Sequence, residues 1–344
     1  MSVFNKKVLK SCLKKLYLKQ YIMINIISMT YCFHALTIRD IRQSITDQYP
    51  SKRWFQYILN HPEYPWDWWG VSQNPNLTMG IIKKYPALPW NWSGMSSNPN
   101  ITMDFIEKYP DKNWKWYYVS HNPNLTMEMI EKHPNKPWNW FSVSCNPNIT
   151  MDMIEKYPDK PWDWWGVSSN TNLTMNFIEK YPFKLWDWFW VSSNPNITID
   201  IVEKYPAVPW NWRGVSINPN ITMDMIEKYP ALPWDWWSMS ANPNITMEMI
   251  EKYPAVPWSW YYLSDNPNLT MEMIEKYPDK PWDWYGVSKN SNITMKWIEK
   301  HLDKPWDWWC VSKNPNITME WVEKYPNKPW DWNGVSLNPM KKSF

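Results

Sequence analysis

A 24-residue unit recurs through most of this 344-residue chain without a single insertion. A representative copy reads Asn146-Pro-Asn-Ile-Thr-Met-Asp-Met-Ile-Glu-Lys-Tyr-Pro-Asp-Lys-Pro-Trp-Asp-Trp-Trp-Gly-Val-Ser-Ser169. Its first Asn returns at 74, 98, 122, 146, 170, 194, 218, 242, 266, 290, 314 and 338, giving eleven full units from Asn74 to Leu337 and the start of a twelfth. A fixed period of this length marks stacked repeats, because one unit cannot bury a core alone and must lean on its neighbours. Length alone would suggest two or three domains; the repeat replaces that expectation with one elongated array.

Each unit carries its own punctuation. Thr150 stands where a helix N-cap belongs, since its hydroxyl can accept from an otherwise unpaired amide. Asp152 just inside the start and Lys156 near the end complement the helix dipole. Ile149 before the cap and Ile154 inside the helix have hydrophobic-staple spacing. Pro158 then disfavours helical geometry in the residue before it. This predicts a first helix over Met151–Tyr157. The second half, Pro161 to Ser168, begins with a proline suited to a helix start, and Trp164, Val167 and Ser168 fall at one-turn spacing. The alternating Trp-Asp-Trp also suits a strand, but the continuing one-turn spacing favours a short helix. The expected fold class is all-α: an α-solenoid of 24-residue repeats with two short helices each, the second α or 3₁₀. At a helix spacing of about 8–10 Å, such an array extends on the order of 100 Å.

Trp-x-Trp begins at 66, 90, 114, 138, 162, 186, 210, 234, 258, 282, 306 and 330, and these pairs hold 24 of the 32 tryptophans. A stack of short helices has little aliphatic volume, so large rings are expected to fill the core. The competing reading is an aromatic face that stacks sugars or bases.

Four segments follow. Residues 1–36 are lysine-rich, then apolar: Lys6, Lys7, Lys10, Lys14, Lys15 and Lys19 come before any acid, and Gln20 to Ile38 carries no charge. This order suits a signal or membrane anchor, but Asn25, Ser28, Thr30 and His34 interrupt the apolar run, whereas Leu9, Leu13 and Leu16 make the stripe of an amphipathic cap. Residues 37–73 read as a degenerate capping repeat, 74–337 as the eleven repeats, and 338–344 as a tail. Beyond the six early lysines the chain carries 30 basic and 33 acidic residues, mostly as Glu-Lys neighbours. That distribution lacks the basic stripe nucleic-acid binding requires. Cys12, Cys32, Cys145 and Cys310 form neither a disulfide framework nor a metal motif, which fits a reducing compartment.

No catalytic constellation is visible. His61, His133 and His301 replace the tyrosine of their units, where packing explains them. There is no phosphate loop, and no cofactor or metal is expected. Two sets of positions carry candidate function. One follows Val-Ser, where the sequence varies: Gln73, Ser97, His121, Ser169, Ser193, Asp265, Lys289 and Lys313 form a candidate partner-reading row. A neighbouring aromatic slot also drifts, from Trp165 to Arg213 to Tyr261. Such positions align along one side of a solenoid, either to read a partner or as unconstrained surface. The other set is Asn-Leu/Ile-Thr: Asn76, Asn100, Asn124, Asn148, Asn172, Asn196, Asn220, Asn244, Asn268, Asn292 and Asn316 are glycosylation acceptors if the chain is secreted. The stronger explanation is structural, with Thr as cap and Asn as turn. The first Asn of each unit is expected to pair with the backbone of the next unit, as a buried ladder.

The run Asn-Pro-Asn-Ile-Thr-Met-Asp-Met-Ile-Glu-Lys-Tyr-Pro-Asp-Lys-Pro-Trp-Asp-Trp resembles the tandem-repeat proteins of giant amoeba viruses of the mimivirus type, over roughly residues 54–339. That resemblance implies a viral product acting in an infected host or packaged in particles, with no activity to transfer to any residue. The period is also loosely similar to the leucine-rich-repeat variant, which alternates α- and 3₁₀-helices, although Trp replaces its aliphatic residues. The expected function is a non-enzymatic protein-interaction scaffold in the host cytoplasm, a monomer with an unidentified protein partner and no nucleic acid. The alternatives are a structural or surface glycoprotein of the virion and a carbohydrate-binding aromatic surface. Membrane contact would fall to residues 1–36.

Overall fold

A computed structural model describes residues 51–340. Segment 1–36, the start of 37–73 and the last residues of the tail lie outside it. Among the described residues the chain forms 24 short helices and no strand. Each unit has a leading helix of six residues, such as Met151–Lys156, and a trailing helix of four to six, such as Trp164–Ser169. The first leading helix is longer, Ser51–Asn60. The fold is the expected all-α solenoid, and the trailing helix is α rather than 3₁₀.

The helix boundaries follow from the caps. Thr150 is extended and its hydroxyl accepts from Met153 N at 3.3 Å. The leading helix ends at Lys156, one residue earlier than expected, because Tyr157 leaves helical geometry ahead of Pro158. The trailing helix starts three residues after Pro161. Asp163 is its N-cap, with a carboxylate oxygen 2.8 Å from Gly166 N. Trp162 therefore lies outside the helix. Its indole Nε1 donates to the Tyr157 carbonyl at 2.8 Å, fastening the unit's two helices together. The same indole bond recurs in all twelve units.

The second indole links units. Trp164 meets Trp186 of the following unit edge-on, with centroids 5.3 Å apart and planes at 87°. Edge-to-face pairs add about 0.5–1.5 kcal/mol each beyond their burial. Twelve such pairs occur, and the twelfth joins Trp332 to Trp66, 5.4 Å apart at 88°. The last unit thus stacks on the first. The array is not the open, elongated body expected from its sequence; it closes on itself.

Hydrogen bonds close the same circle. Asn170 Nδ2 donates to the carbonyls of Ser144, Asn146 and Ile149, at 2.8, 3.1 and 2.9 Å. Its Oδ1 accepts from Asn172 N at 2.8 Å. The asparagine ladder is present, but each amide reaches the preceding unit rather than the next. Around the array every first Asn donates to the carbonyl of the one before it, and Asn74 donates to Asn338 O at 3.1 Å. A second ladder uses the serine of Val-Ser: Ser168 Oγ accepts from Asp187 N at 2.9 Å, and across the seam Ser336 Oγ accepts from Asp67 N at 2.9 Å. At the seam Asn76 Nδ2 also donates to Pro339 O at 2.9 Å, and Asn333 Nδ2 to Asp67 Oδ1 at 3.1 Å. Tyr57 completes it by donating to Glu323.

The two helix sets lie at different radii. Neighbouring trailing helices touch through backbone: a Cβ on Gly214 would sit 2.4 Å from Phe189 O, and one on Gly70 would sit 2.8 Å from Asn333 O across the seam. Leading helices meet their counterparts chiefly through long side chains, such as Lys252 Nζ to Glu227 at 2.7 Å. In a closed ring the more tightly spaced elements lie nearer the axis, so trailing helices form the inner wall and leading helices the outer. Twelve helices about 8 Å apart give a circle of axes on the order of 15 Å in radius. Removing a helix half-width of about 5 Å leaves an opening roughly 20 Å across.

Candidate functional site

The inner wall is built from six-residue trailing helices whose sides have fixed duties. In Trp164–Ser169, Gly166, Val167 and Ser168 are buried against neighbours, and Trp164 packs on Phe177, Tyr181 and Trp186 of the next unit. Trp164 is itself only partly buried, and beyond it the second and sixth residues, Trp165 and Ser169, are also partly exposed. They are four apart and share one helix side, which faces away from the core and into the opening.

The sixth position holds the candidate partner-reading row, and the structure does bring it into one line. Lys289 Nζ lies 2.9 Å from Asp265 Oδ2 in adjacent units, and Cys145 Sγ lies 3.9 Å from His121 Nδ1. Much of the row is committed to its own helix ends. Ser97 Oγ donates to Gly94 O, Ser169 Oγ to Gly166 O and Ser193 Oγ to Trp190 O, at 2.9, 2.9 and 3.1 Å. Gln73 is half-buried, and Lys313 is partly buried with its ammonium 3.5 Å from the Trp309 ring centre. Burial holds that ammonium below the usual lysine range.

The second position is the richer one. Trp237, Tyr261, Tyr285 and Trp309 are 49, 57, 45 and 43% exposed and stand on four successive units. Tyr285 and Trp309 lie nearly parallel, at 14°, with centroids 6.4 Å apart. The Arg213 guanidinium lies 5.5 Å from the Trp237 ring at one end of this arc, and Lys313 covers Trp309 at the other. Cations over aromatic faces contribute about 0.5–2 kcal/mol. In the Arg213–Trp309 stretch the inner wall carries its largest exposed aromatic surface. Cys145 and Cys310, which border this wall, are buried. Burial pushes the Cys310 thiol up to about 12, with Asp307 reinforcing the effect.

The sequon asparagines lie elsewhere, in a third ladder. Asn172 Nδ2 donates to Pro147 O and Ile149 O at 2.7 and 3.1 Å, and the others, from Asn76 to Asn316, likewise donate to the preceding unit. The nitrogen that would carry a glycan is thus tied into the stack. On the outer wall, Tyr157 and Tyr229 donate to Glu131 and Glu203 of the preceding unit, each at 2.9 Å. His133 and His301 put Nε2 in the same place, 2.5 Å from Glu107 and 3.1 Å from Glu275. That shared polar tip explains why histidine substitutes for tyrosine there. His61 instead lies beside Glu63, with Nδ1 2.9 Å away.

Sequence reading missed three things: the serine ladder, the close approach at the trailing-helix glycine, and the seam. Small Gly or Ser in most copies between Trp-x-Trp-x and Val-Ser signalled the close approach. The seam is foreshadowed by Gly334-Val335-Ser336, an internal pattern where an open array needs a polar cap.

Among the described residues no group of three or more His, Cys, Asp or Glu could hold a metal ion, and no helix is long and apolar enough to cross a membrane. The fold and its inner wall define a closed ring of all-helical repeats. No protein-family model, curated protein or solved structure matches this chain.

Proposed function

We propose that the ring is a non-enzymatic scaffold that holds a protein partner at its inner wall. The observation that carries this reading is the arc of four exposed aromatics, Trp237, Tyr261, Tyr285 and Trp309, on an otherwise closely packed circle. Contiguous exposed apolar surface of this kind marks interaction sites. A ring stiffened by cross-unit bonds holds such an arc in place before binding, which lowers the ordering cost of association. Following the resemblance to giant-virus repeat proteins, the partner belongs to the infected host cell. The carbohydrate alternative is less favoured, because Arg213 and Lys313 lie over the rings of Trp237 and Trp309, which sugars would need for stacking. The virion glycoprotein alternative is less favoured because the sequon amides are hydrogen-bonded within the stack.

The test is a photo-crosslinking residue placed at Tyr261 in the full chain, with Asp279 on the turn rim as the comparison site. A discrete adduct to a foreign protein from Tyr261 and none from Asp279 is expected. Equal labelling from both sites, or no adduct, would remove the reading.

A further inference from the structure

We infer that two copies of the ring pair face to face, through the turns that join leading to trailing helices, about a two-fold axis lying in the plane of the ring. This pairing replaces the monomer expected from the sequence. It does not depend on what the inner wall holds.

Each of the twelve turns carries a residue pair such as Asp159-Lys160, and the first of the pair is exposed in every unit. Because each joint repeats the same bonds, all twelve turns share one face of the ring. At the seam Ser336 meets Asp67 and Asn338 meets Asn74, as Ser168 meets Asp187 and Asn74 meets Asn98 elsewhere. No axial step accumulates, so that face is flat. Its most exposed side chains are apolar: Phe183 is 97% and Leu185 87% exposed. Large apolar groups this open to water mark a contact surface when they adjoin others.

The order of the pairs indicates what covers them. Six turns carry a polar residue followed by lysine, in two runs of three. Asp111, Asn135 and Asp159 begin the pairs of one run, and Asp279, Asp303 and Asn327 those of the other. The remaining six are mainly apolar pairs such as Ala231-Leu232. They form a run of four, at Phe183, Ala207, Ala231 and Ala255, and a run of two, at Glu63 and Ala87. Along the chain this order is uneven. Around a closed circle of twelve, the centre of the run of four lies six units from the centre of the run of two, diametrically opposite it. A line through both centres divides the face into matching halves. A half-turn about that line lays one ring on another with apolar turns on apolar turns and polar on polar. An isologous interface needs this self-match, since residue i must meet j while j meets i.

In that pairing Phe183 falls opposite Ala255, so the largest apolar side chain of the face meets one of the smallest. Asp159-Lys160 falls opposite Asp279-Lys280, and every facing polar pair brings at least one Asp together with lysines. The two charges within the apolar runs are turned toward their own ring: Lys184 Nζ lies 4.5 Å from the Trp164 ring centre, and Glu63 lies beside His61 Nδ1 at 2.9 Å. Six apolar turns of four residues a side match the about 20–30 residues of a standard interface. A bilayer would cover the polar runs with the apolar ones, and burying their aspartates is costly. A partner of another sequence has no need of a two-fold pattern.

The test begins with sedimentation equilibrium of the full chain, whose single copy has a mass of 41.9 kDa. A reversible dimer of twice that mass is expected. Phe183→Asp together with Leu185→Asp should raise its dissociation constant about tenfold or more, since the half-turn brings both residues into the contact twice. Both side chains are exposed, and unchanged far-ultraviolet circular dichroism verifies that the variant folds. The axis is tested in a background freed of native cysteines. Chains carrying only Asp159→Cys are mixed with chains carrying only Asp279→Cys and treated with a short bis-maleimide. A crosslinked dimer is expected from the mixture and little from either chain alone. Sedimentation as a single copy at all concentrations, indifference to the double substitution, or equal crosslinking with one chain alone overturns the inference. So does flotation with phosphatidylcholine vesicles that the double substitution abolishes, which makes the face a membrane contact instead. The inner-wall reading survives any of these failures if Tyr261 still crosslinks to a foreign protein; an adduct of two copies is told apart by its doubled mass. Labels placed on these turns for distances within one ring call for dilution with unlabelled chain.

Discussion

At the scale of single residues, the same amino acid acts differently according to what it meets across the unit boundary. Asn170 is fully buried and donates to three carbonyls of the preceding unit. Asn170→Ala removes those donations and the acceptor of Asn172 N; Ile149 O keeps its bond from Asn172 Nδ2 and Asn146 O its bond from Ile149 N, and the cost of the buried groups left unsatisfied is about 1–3 kcal/mol. A lower urea midpoint with unchanged slope is the expected outcome. Glycine gives a sharper contrast. Gly214→Ala drives a Cβ to within 2.4 Å of Phe189 O, and such overpacking costs about 1–3 kcal/mol. Gly80→Ala meets nothing nearer than Thr78 Oγ1 at 3.7 Å on an exposed helix side, and should stabilise by up to about 1 kcal/mol. Thermal melts of the two variants should therefore move in opposite directions. Equal shifts would mean that the trailing helices do not approach as closely as described. The ladder asparagine was legible because its fixed place demanded a backbone partner. The direction of its bond was not, because sequence does not say which neighbour lies above and which below.

Helices and their caps were largely legible. Thr150 marked the leading helix to the residue, and Pro158 marked its end to within one. The trailing helix was placed too early because Pro161 was read as its first turn. Asp163, one residue before Trp164, is the true start signal, since its carboxylate caps Gly166 N. Between elements, the outer wall carries carboxylates shared by two side chains of the next unit. Glu227, Glu251, Glu275 and Glu299 each take a lysine ammonium first and a Tyr or His second, and these bonds hold the carboxyls below their usual range. A carboxylate with a lowered folded-state pKa stabilises the fold fully above its unfolded value of about 4.3, and that contribution is lost as pH falls through the folded value. The urea midpoint should stay level from about pH 7 to 5 and decline below about pH 4. Replacing the four by Gln should flatten the acid limb while leaving the neutral region nearly unchanged, because exposed pairs contribute little individually. An unaltered acid limb would locate acid sensitivity elsewhere in the ring.

At the scale of the whole molecule, closure governs everything else. A stack with two free ends must cap them with polar surface; here Trp332 and Trp66 supply the same edge-on contact to each other that every other unit supplies to its neighbour. The array length was legible in the sequence. Its curvature was not, because curvature comes from the difference between backbone contact on the trailing side and side-chain contact on the leading side, set by small offsets accumulated over twelve units. Closure also turns the varied row of the inner wall into an enclosed one. The most direct measurement of closure is electron–electron double resonance between spin labels on exposed turn residues, in a background freed of native cysteines. Labels at Glu63 and Asn327 should give the same short separation as labels at Asp279 and Asp303, which are ring neighbours 24 residues apart, and a shorter one than labels at Asp159 and Asp303 on opposite sides. If the Glu63–Asn327 separation were instead the longest of the three, the array would be open and the account of its inner wall wrong.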